Sequence, residues 1–333
     1  MQRLLVTGGL GFIGSNFIRM LLTERTDIEV INLDILSYAG NPLNLSEFEG
    51  EDRYELVIGD VADQAHVDWL LSENPVDGIV HFAAESHVDR AVQSSAPFIE
   101  ANVKGTQVLL DAARKHGVKR YVQVSTDEVY GSLGESGEFT EDSPLRPNNP
   151  YSASKVAGDM LCRAYFVTHK LPVMVTRCSN NYGPRQFPEK LIPLMISKIM
   201  RGGRLPVYGD GLHVRDWLYV GDHCRAILAV LERGEAGEVY NIGGGREMPN
   251  LELVKLLIDK LGKSSDLIEF VPDRPGHDRR YAISYDKLNT ELGWTPQVGF
   301  EEGIAATIYW YQNNQAWLDA IRDGSYQDGY KID

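Results

Sequence analysis

The feature that most constrains the fold of this chain is a glycine-rich segment between a predicted strand and a predicted helix. Residues 3–7 form a short apolar run, residues 8–14 have the sequence GGLGFIG, and an apolar helical pattern follows to residue 22. Glycines in this position permit a tight turn and a close approach of the backbone to a ligand, and the start of the helix attracts a pyrophosphate. The segment therefore predicts a dinucleotide-binding unit of an α/β fold.

A carboxylate at the end of the next strand indicates which dinucleotide is bound. The second predicted strand, residues 29–33, is followed by Asp34, about 20 residues beyond the glycines, which is the usual interval in such units. A carboxylate there accepts hydrogen bonds from ribose hydroxyls and repels a 2′-phosphate. We therefore expect NAD as the cofactor and discrimination against NADP.

Length and the spacing of apolar runs predict the rest of the architecture. A chain of 333 residues exceeds the usual size of a single core. Further strands are predicted at residues 54–58, 78–82, 120–124, 172–177 and 238–242, and helices at residues 66–72, 98–116, 151–169, 220–233, 250–260 and 300–313, the last of which should end the globule. Residues 178–184 are rich in turn formers and predict a domain boundary.

These patterns predict a Rossmann-like, doubly wound parallel sheet with a smaller C-terminal α/β domain. We expect the cofactor domain to comprise residues 1–178 and about 218–242, and the substrate domain to comprise residues 179–217 and 243–333.

Polar residues crowd the end of the predicted central strand. Residues 125–131 have the sequence STDEVYG, so that Thr126, Asp127 and Glu128 lie just past the strand, where open α/β sheets place their sites. Neighbouring residues of a continuing strand point to opposite faces. Both carboxyls can serve one site only if the backbone curls, and Gly131 permits such a curl.

A tyrosine and a lysine one helical turn apart suggest a base. Tyr151 and Lys155 are spaced i, i+4 at the start of a predicted helix, so both side chains lie on one face. A nearby ammonium favours the phenolate and lowers the tyrosine pKa from its usual value of about 10, which lets the phenol take a proton from a substrate hydroxyl. The spacing alone arises often by chance, but the polar residues at 125–131 favour the catalytic interpretation.

The two segments STDEVYG at 125–131 and YSASK at 151–155 resemble those of the extended short-chain dehydrogenase/reductase family. Within it the chain is similar to the dTDP-glucose 4,6-dehydratases over nearly its whole length. The resemblance implies an NAD-dependent lyase that acts on a nucleoside-diphosphate glucose and serves deoxysugar biosynthesis, such as the route to dTDP-rhamnose. It also implies a homodimer formed by pairing helices equivalent to residues 98–116 and 152–169.

The resemblance further implies a redox-neutral elimination. Tyr151, assisted by Lys155, removes the C4 hydroxyl proton while hydride passes from C4 to NAD, and Thr126 hydrogen-bonds the emerging carbonyl oxygen. Glu128 then takes the C5 proton, protonated Asp127 donates to the departing C6 hydroxyl, and the hydride returns to C6. Opposite protonation states of two neighbouring carboxyls fit the rule that adjacent titratable groups push each other's pKa values apart.

The cofactor site also follows from the resemblance. Contacts to NAD are implied for Gly8, Gly11, Phe12, Ile13, Gly14, Asp34, Ser37, Asp60, Val61, Ala83, Ala84, Ser86, Tyr151, Lys155 and Asn181. The chain departs from the family at Ala101, where a threonine is common, which puts one hydrogen bond to NAD in doubt. Two alternatives stay open: Asp60 could cap the helix at 66–72, and Asn102 could either support a proton or water path or be merely solvated.

A second set of residues is implied to hold the sugar nucleotide. It comprises His87, Thr126, Asn180, Lys190, Leu191, Pro206, Tyr208, Arg215, Asn250, Asp273, Arg274, His277 and Tyr281. The guanidinium and ammonium groups among them suit a diphosphate. Taken singly, each arginine is equally explained as a solvated surface charge, His87 as a surface or capping histidine, and Asn250 as a helix N-cap.

Composition narrows the possible partners and compartment. A net charge of −14 argues against binding to nucleic acid or to an anionic membrane. No apolar run approaches the ~18 residues of a membrane span, and Met1 leads into a strand rather than a signal sequence. The three cysteines are scattered and lack metal-binding spacing, so neither disulfides nor a metal site is expected. We expect a soluble, cytoplasmic protein.

Other members of the same family are the main alternatives. A UDP-glucose 4,6-dehydratase would differ in the base, which the sequence does not fix. A nucleotide-sugar 4-epimerase or a decarboxylase needs the Tyr–Lys pair but no acid–base couple, so Asp127 and Glu128 count against both. A catalytically silent NAD sensor would be expected to lack Tyr151 or Lys155, and both are present.

Overall fold

A parallel sheet of seven strands forms the centre of the molecule, in a computed structural model that describes residues 2–273 and 276–330. The strands of these residues are β1 (Gln2–Thr7), β2 (Ile28–Asp34), β3 (Tyr54–Ile58), β4 (Gly78–His81), β5 (Arg120–Thr126), β6 (Val173–Cys178), β7 (Asn180–Tyr182), β8 (Leu205–Tyr208), β9 (Val214–Tyr219), β10 (Val239–Ile242), β11 (Glu247–Pro249) and β12 (Ile268–Val271). The central sheet has the order β10-β6-β5-β4-β1-β2-β3. The chain moves outward from β1 to β3 and then returns to β4, so the strand order reverses beside β1, where such sheets open a ligand crevice.

The described residues form twelve α-helices, some of which cover the two faces of this sheet. They are α1 (Phe12–Glu24), α2 (Gln64–Glu73), α3 (Val88–Gln93), α4 (Ala96–Ile99), α5 (Gly105–Lys115), α6 (Pro150–His169), α7 (Leu191–Met200), α8 (Val220–Arg233), α9 (Asn250–Lys260), α10 (Asp286–Leu292), α11 (Phe300–Asn313) and α12 (Gln315–Asp323). One core packs α1 and α8 on the sheet through residues such as Phe17 and Ile227, and a second packs α2, α5 and α6 on the other face through residues such as Leu70 and Leu109. The predicted doubly wound architecture is confirmed.

A smaller α/β unit follows the main sheet in the sequence. It contains the three-stranded sheet β11-β9-β7 and the parallel pair β12-β8. A third core joins α7, α9 and α11 to these strands through residues such as Ile196, Trp217 and Leu257. Strand β10 returns to the main sheet, where it pairs with β6. The smaller C-terminal unit is thus confirmed, while the residue limits of the two domains stay a prediction.

Three local predictions need correction. Residues 178–184 are not only turns, because β7 pairs with β9 there and tertiary pairing overrides the local signals. The helix ending at residue 313 is not the last, since α12 buries Trp317 and Leu318 beyond it. The helix predicted at 98–116 is interrupted by a π-helical turn, Glu100–Lys104. Within the described residues, no helix has the length and apolar character needed to cross a membrane.

Candidate active site

A cleft of about 500 Å³ opens at the carboxyl ends of the parallel strands, above the point where the strand order reverses. Every residue predicted to contact the cofactor lines this cleft. So do Thr126, Asp127 and Glu128, together with Asn180 and Lys190 of the predicted substrate set. The structure therefore brings the predicted cofactor and catalytic residues to one place.

The glycine segment forms a cradle that tolerates no side chain at two positions. Gly8 has φ +70°, and a Cβ there would lie 2.6 Å from the backbone nitrogen of Ala83. A Cβ at Gly14 would lie 2.4 Å from the carbonyl oxygen of Gly8. Gly11, which lines the cleft, leaves more space, because its Cβ would meet only the Gly8 oxygen at 3.3 Å. The exposed backbone at the start of α1 fits a pyrophosphate.

Asp34 organises the rim of the cleft as well as lining it. Its carboxylate accepts hydrogen bonds from the backbone nitrogens of Leu10 and Leu36, each at 2.9 Å. Burial raises the pKa of Asp34, and these two hydrogen bonds oppose the increase. A carboxylate offers about four lone-pair positions, so two are left for the hydroxyls of a ribose. This double role in the loops was not predicted from the sequence.

The two adjacent carboxyls share one site because the backbone curls after β5. Asp127 begins a 3₁₀ turn that ends at Tyr130, and the following Gly131 has φ +85°. Thr126 caps this turn by accepting a hydrogen bond from the backbone nitrogen of Glu128 at 3.3 Å. The curl that the sequence required for a joint site is confirmed.

Asp127 and Glu128 have different surroundings. Asp127 is 2% exposed, its Oδ1 accepts a hydrogen bond from the Thr126 hydroxyl at 3.3 Å, and its Oδ2 is buried without a partner. Burial raises the pKa of Asp127 well above its usual value, and the negative charges of Glu128 and Asp216 add to the increase. The raised pKa favours the protonated form of Asp127, which is the form that a general acid requires. Glu128 is less buried and accepts a hydrogen bond from the Ser152 hydroxyl at 3.4 Å.

Tyr151 and Lys155 face the same cleft, but the predicted lowering of the Tyr151 pKa is wrong. Burial raises the pKa of Tyr151 well above its usual value, the Glu128 carboxylate adds to this, and a hydrogen bond with Thr126 opposes it. Lys155 donates to the carbonyl oxygen of Val124 at 2.7 Å, and burial lowers the pKa of the lysine itself. Burial of the phenol has a larger effect on its pKa than the nearby ammonium.

Asn102 is buried at the π-helical turn and joins three segments of the site. Its amide accepts from the backbone nitrogen of Glu85 at 2.9 Å and donates to the Glu85 carbonyl oxygen at 3.0 Å and to the Ser154 hydroxyl at 2.8 Å. The solvated alternative for Asn102 is therefore wrong. Ala101, in the same turn, lines the cleft. Asp60 does not cap α2, because the N-cap is Asp63.

Asn181 is oriented by a histidine that the sequence did not indicate. Its Oδ1 lies 2.9 Å from Nδ1 of the buried His223, and its Nδ2 donates to the carbonyl oxygen of Ser179 at 3.0 Å. Burial lowers the pKa of His223 to about 3, so the ring is neutral and donates from Nδ1. The two residues are 42 positions apart, and no local pattern links them.

Beyond the cleft, Arg215 connects the smaller α/β unit to the carboxyl pair. Its guanidinium lies 4.5 Å from the ring centre of Tyr281 and donates to the carbonyl oxygen of Asp278 at 2.9 Å. Its positive charge opposes the increase in the pKa of Asp127, so the two groups interact electrostatically. Arg274 lies outside the described residues. Two arginines that follow Arg274 in the sequence form ion pairs with carboxylates, Arg279 with Asp210 and Arg280 with Glu247.

A second group of predicted substrate residues lies in the smaller unit. Asp273 and His277 form a hydrogen bond of 2.7 Å, and the ring of His277 stacks on His213 with 3.7 Å between ring centres. The ring of Tyr208 meets His277 edge-on. Asp273, His213 and His277 could hold a metal ion, since their ligand atoms lie within 4.8 Å of one another. Cysteine spacing gives no indication of this group. Its members are up to 64 residues apart in the sequence, so no local pattern links them.

The other predicted substrate residues have varied surroundings. Lys190 reaches across the cleft and donates to the carbonyl oxygen of Ser86 at 3.1 Å, and His87 lies 3.6 Å from Glu189. Asn250 does not cap α9, whose N-cap is Pro249, and its own Oδ1 is buried without a partner. Leu191 and Pro206 do not line the cleft. Glu85, Gln186, Phe187 and Glu189 do line it, although only their predicted neighbours Ser86 and Lys190 pointed to these segments.

Comparison with known proteins gives a consistent result. The family model of GDP-mannose 4,6-dehydratase matches residues 5–307. A dTDP-glucose 4,6-dehydratase of Streptomyces griseus is 54% identical over 320 residues, which is 96% of each chain, and that of Escherichia coli is 46% identical over 98% of each chain.

Solved structures agree with these matches. DesIV, the dTDP-glucose 4,6-dehydratase of Streptomyces venezuelae, crystallised with NAD, has a TM-score of 0.93 and 51% identity, covering 96% of this chain and 100% of its own. The UDP-glucose 4-epimerase of Thermotoga maritima has a TM-score of 0.88 and 31% identity, covering 94% of this chain. By sequence and by structure, the chain belongs to the dTDP-glucose 4,6-dehydratase family.

Proposed function

We propose that this chain is an NAD-dependent lyase that converts dTDP-glucose into dTDP-4-keto-6-deoxyglucose and water. The observation that carries the proposal is the carboxyl pair after β5, in which a buried Asp127 with a raised pKa adjoins Glu128 beside Tyr151 and Lys155. Oxidation of an alcohol alone would need the tyrosine and lysine. Loss of water from the neighbouring carbons needs an acid and a base in addition.

The residues of the cleft fit NAD. The glycine cradle accepts a pyrophosphate, and Asp34 has lone pairs for the adenosine ribose. When bound, NAD would supply a positively charged hydride acceptor that takes hydrogen from C4 of the sugar and later returns it to C6.

The proposed function also assigns a role to each domain. Residues 1–178 and about 218–242 would form the cofactor domain, and residues 179–217 and 243–333 would form the substrate domain.

Tyr151 and Thr126 act in the first half of the reaction. Tyr151 removes the proton of the C4 hydroxyl, and Thr126, which hydrogen-bonds Tyr151, holds the emerging carbonyl oxygen. Because burial disfavours the phenolate, Tyr151 needs a nearby positive charge to lose its proton. Lys155 contributes charge while its ammonium is anchored on the carbonyl of Val124.

Asp127 and Glu128 act in the second half. The 4-ketone acidifies the hydrogen on C5, and Glu128 removes it as a carboxylate that the Ser152 hydroxyl orients. Asp127, whose raised pKa favours its protonated form, delivers a proton to the departing C6 hydroxyl. One backbone turn therefore presents both the acid and the base.

The smaller unit would bind the nucleotide. We infer that Arg215 and Arg274, together with Lys190, hold the diphosphate. Asn180 and His87 would lie toward the glucose, and the residues around the nucleoside would be Leu191, Pro206, Tyr208, Asn250, Asp273, His277 and Tyr281. Arg215 supports this assignment because its charge reaches Asp127 while its guanidinium is fixed against Tyr281. A guanidinium held in this way loses little freedom when it binds an anion.

We further propose a cytoplasmic homodimer. Apolar side chains stand exposed on the helices that would pair: Ile99 on α4, and Met160 and Val167 on α6. Met160 and Val167 are seven residues apart and so lie on one face of the helix. The three cysteines are buried and form no disulfide, as expected for a reducing compartment.

A panel of sugar nucleotides tests the proposed function. The purified protein is incubated separately with dTDP-glucose, UDP-glucose and GDP-mannose, and the products are identified by mass spectrometry and NMR. We expect a 4-keto-6-deoxy product from dTDP-glucose at the highest kcat/KM. Tyr151→Phe provides the control for contaminating activity and should give no product. Formation of a galactose epimer without loss of water would instead establish a 4-epimerase.

A further inference from the structure

The last described segment of the chain returns to the rim of the cofactor cleft. A 3₁₀ turn, Ser325–Gln327, lies against the loop of residues 35–41 that follows β2. The side-chain nitrogen of Gln327 is 3.1 Å from the carbonyl oxygen of Leu36, 2.9 Å from that of Ser37 and 3.4 Å from that of Gly40. The hydroxyl of Tyr326 donates to the carbonyl oxygen of Tyr38 at 2.7 Å. Four backbone oxygens of one short loop thus face donors from this turn.

That loop is part of the cofactor cleft. Ser37 and Gly40 line it, and the backbone nitrogen of Leu36 donates to Asp34. Leu36 has φ +55°, a left-handed conformation that is strained for a residue with a Cβ and persists only where the surroundings impose it. The side-chain amide of Gln327 stabilises this conformation of Leu36, because its nitrogen donates to the carbonyl oxygens of both Leu36 and Gly40.

The loop is also held from the opposite flank. The hydroxyl of Tyr38 donates to Glu189 at 3.0 Å, and the guanidinium of Arg90 lies 3.5 Å from the centre of the Tyr38 ring. The Phe187 ring contacts both Tyr38 and Tyr326, with ring centres 5.7 and 6.3 Å apart. The turn Ser325–Gln327 therefore holds the loop on one side, and Phe187 and Glu189 of the substrate unit hold it on the other. We call these two sets of contacts the clasp.

We propose that Gln327, assisted by Tyr326, is a positioning residue that retains the cofactor by fixing the loop of residues 35–41 over its adenosine half. The inference rests on the proposed function, since the retained ligand is NAD. It also fits that chemistry, because a reaction that returns its hydride leaves the cofactor in its starting state and requires no release. A clasp that slows cofactor exchange therefore costs no turnover.

Cofactor exchange in Gln327→Glu tests the proposal. This variant keeps the shape of the side chain, but it replaces the amide donors with a carboxylate that faces three carbonyl oxygens. Purified holoenzyme is mixed with excess etheno-NAD without sugar, and displacement of bound NAD is followed by fluorescence. We expect exchange at least about tenfold faster than in the parent, together with faster hydrogen exchange of the amides of residues 36–41. Activity should fall after dialysis and return when NAD is added.

A matched control comes from the same terminus. The hydroxyl of Tyr330 donates to Glu49 rather than to residues 35–41, so Tyr330→Phe should exchange NAD at the parent rate. Should Gln327→Glu fail to fold, Tyr326→Phe carries the test, because it removes one donor and keeps the ring against Phe187. Equal exchange rates in the parent and a folded variant would overturn the clasp and leave the lyase reaction untouched. Failure of the parent to convert dTDP-glucose would instead overturn the proposed function.

Discussion

At the scale of single residues, the site depends on two neighbouring carboxyls that differ in environment. Asp127 is almost fully buried and its pKa is raised, while Glu128 has more solvent contact and a hydroxyl donor in Ser152. The sequence placed these residues side by side, but only the curl of the chain after β5 gives them different surroundings. The proposed division into acid and base therefore depends on the fold.

Replacing Asp127 and Glu128 separately should impair two different steps of the reaction. Glu128→Gln should block exchange of the C5 hydrogen with solvent and leave oxidation at C4, because Tyr151 and Lys155 are unchanged. Asp127→Asn should permit C5 exchange and slow the loss of the C6 hydroxyl. Loss of a general acid or base costs about 10²–10⁴ in rate. Exchange in D₂O and product formation, followed by NMR, measure both steps, and identical defects at C4 oxidation would contradict these roles.

The buried proton of Asp127 should also affect stability. The folded-state pKa is raised above the ordinary value of 3.8, so the folded protein keeps a proton that the unfolded chain loses as pH rises past that value. Stability from this group is thus fully present below pH 3.8 and is lost as pH rises through the folded-state pKa. We expect the free energy of unfolding of Asp127→Asn, relative to the parent, to be larger at pH 7.5 than at pH 4.5. Urea unfolding at both pH values checks the sign.

At the scale of structural elements, sequence patterns predicted well where one local period dominates. Helices α8, α9 and α11 have the predicted bounds because their apolar faces repeat regularly along the chain. The predictions failed where distant partners decide. Strand β7 exists because β9 pairs with it, and Asn102 meets Glu85 across an interrupted helix.

The glycine cradle provides a prediction at this scale. Gly14→Ala should destabilise the fold by about 1–3 kcal/mol, because its Cβ would lie 2.4 Å from the Gly8 carbonyl oxygen. Gly11→Ala should fold normally but bind NAD at least tenfold more weakly, since its methyl group would enter the pyrophosphate position. Thermal unfolding and NAD titration separate the two effects. If both variants bound NAD as tightly as the parent does, the pyrophosphate would have to lie elsewhere.

At the scale of the whole molecule, the sequence predicted the doubly wound sheet and the position of the cleft. These follow from the order of strands and from the glycine segment, which are both visible locally. The pairing of His213 with His277, of Asn181 with His223, and of Gln327 with the loop after β2 was not visible. Those contacts join residues between 42 and 291 positions apart and depend on the assembled fold.

The exposed apolar face of α6 predicts the assembly. Met160→Glu with Val167→Glu should convert a homodimer to a monomer, because two charges would be buried in the interface. Trp69→Glu is the matched control, since Trp69 is also exposed but lies on α2. Light scattering after gel filtration should give half the parent mass for the double variant and the parent mass for the control. A monomeric parent would rule out the proposed dimer.

The path of one hydrogen atom tests the central claim most directly. dTDP-glucose carrying deuterium at C4 is converted by the purified enzyme, and the product is analysed by NMR. If the residues act as proposed, the label leaves C4 during oxidation and appears at C6 after water is lost, without accumulation of NADH. Recovery of the label at C4, or its release in labelled NADH, would contradict the account.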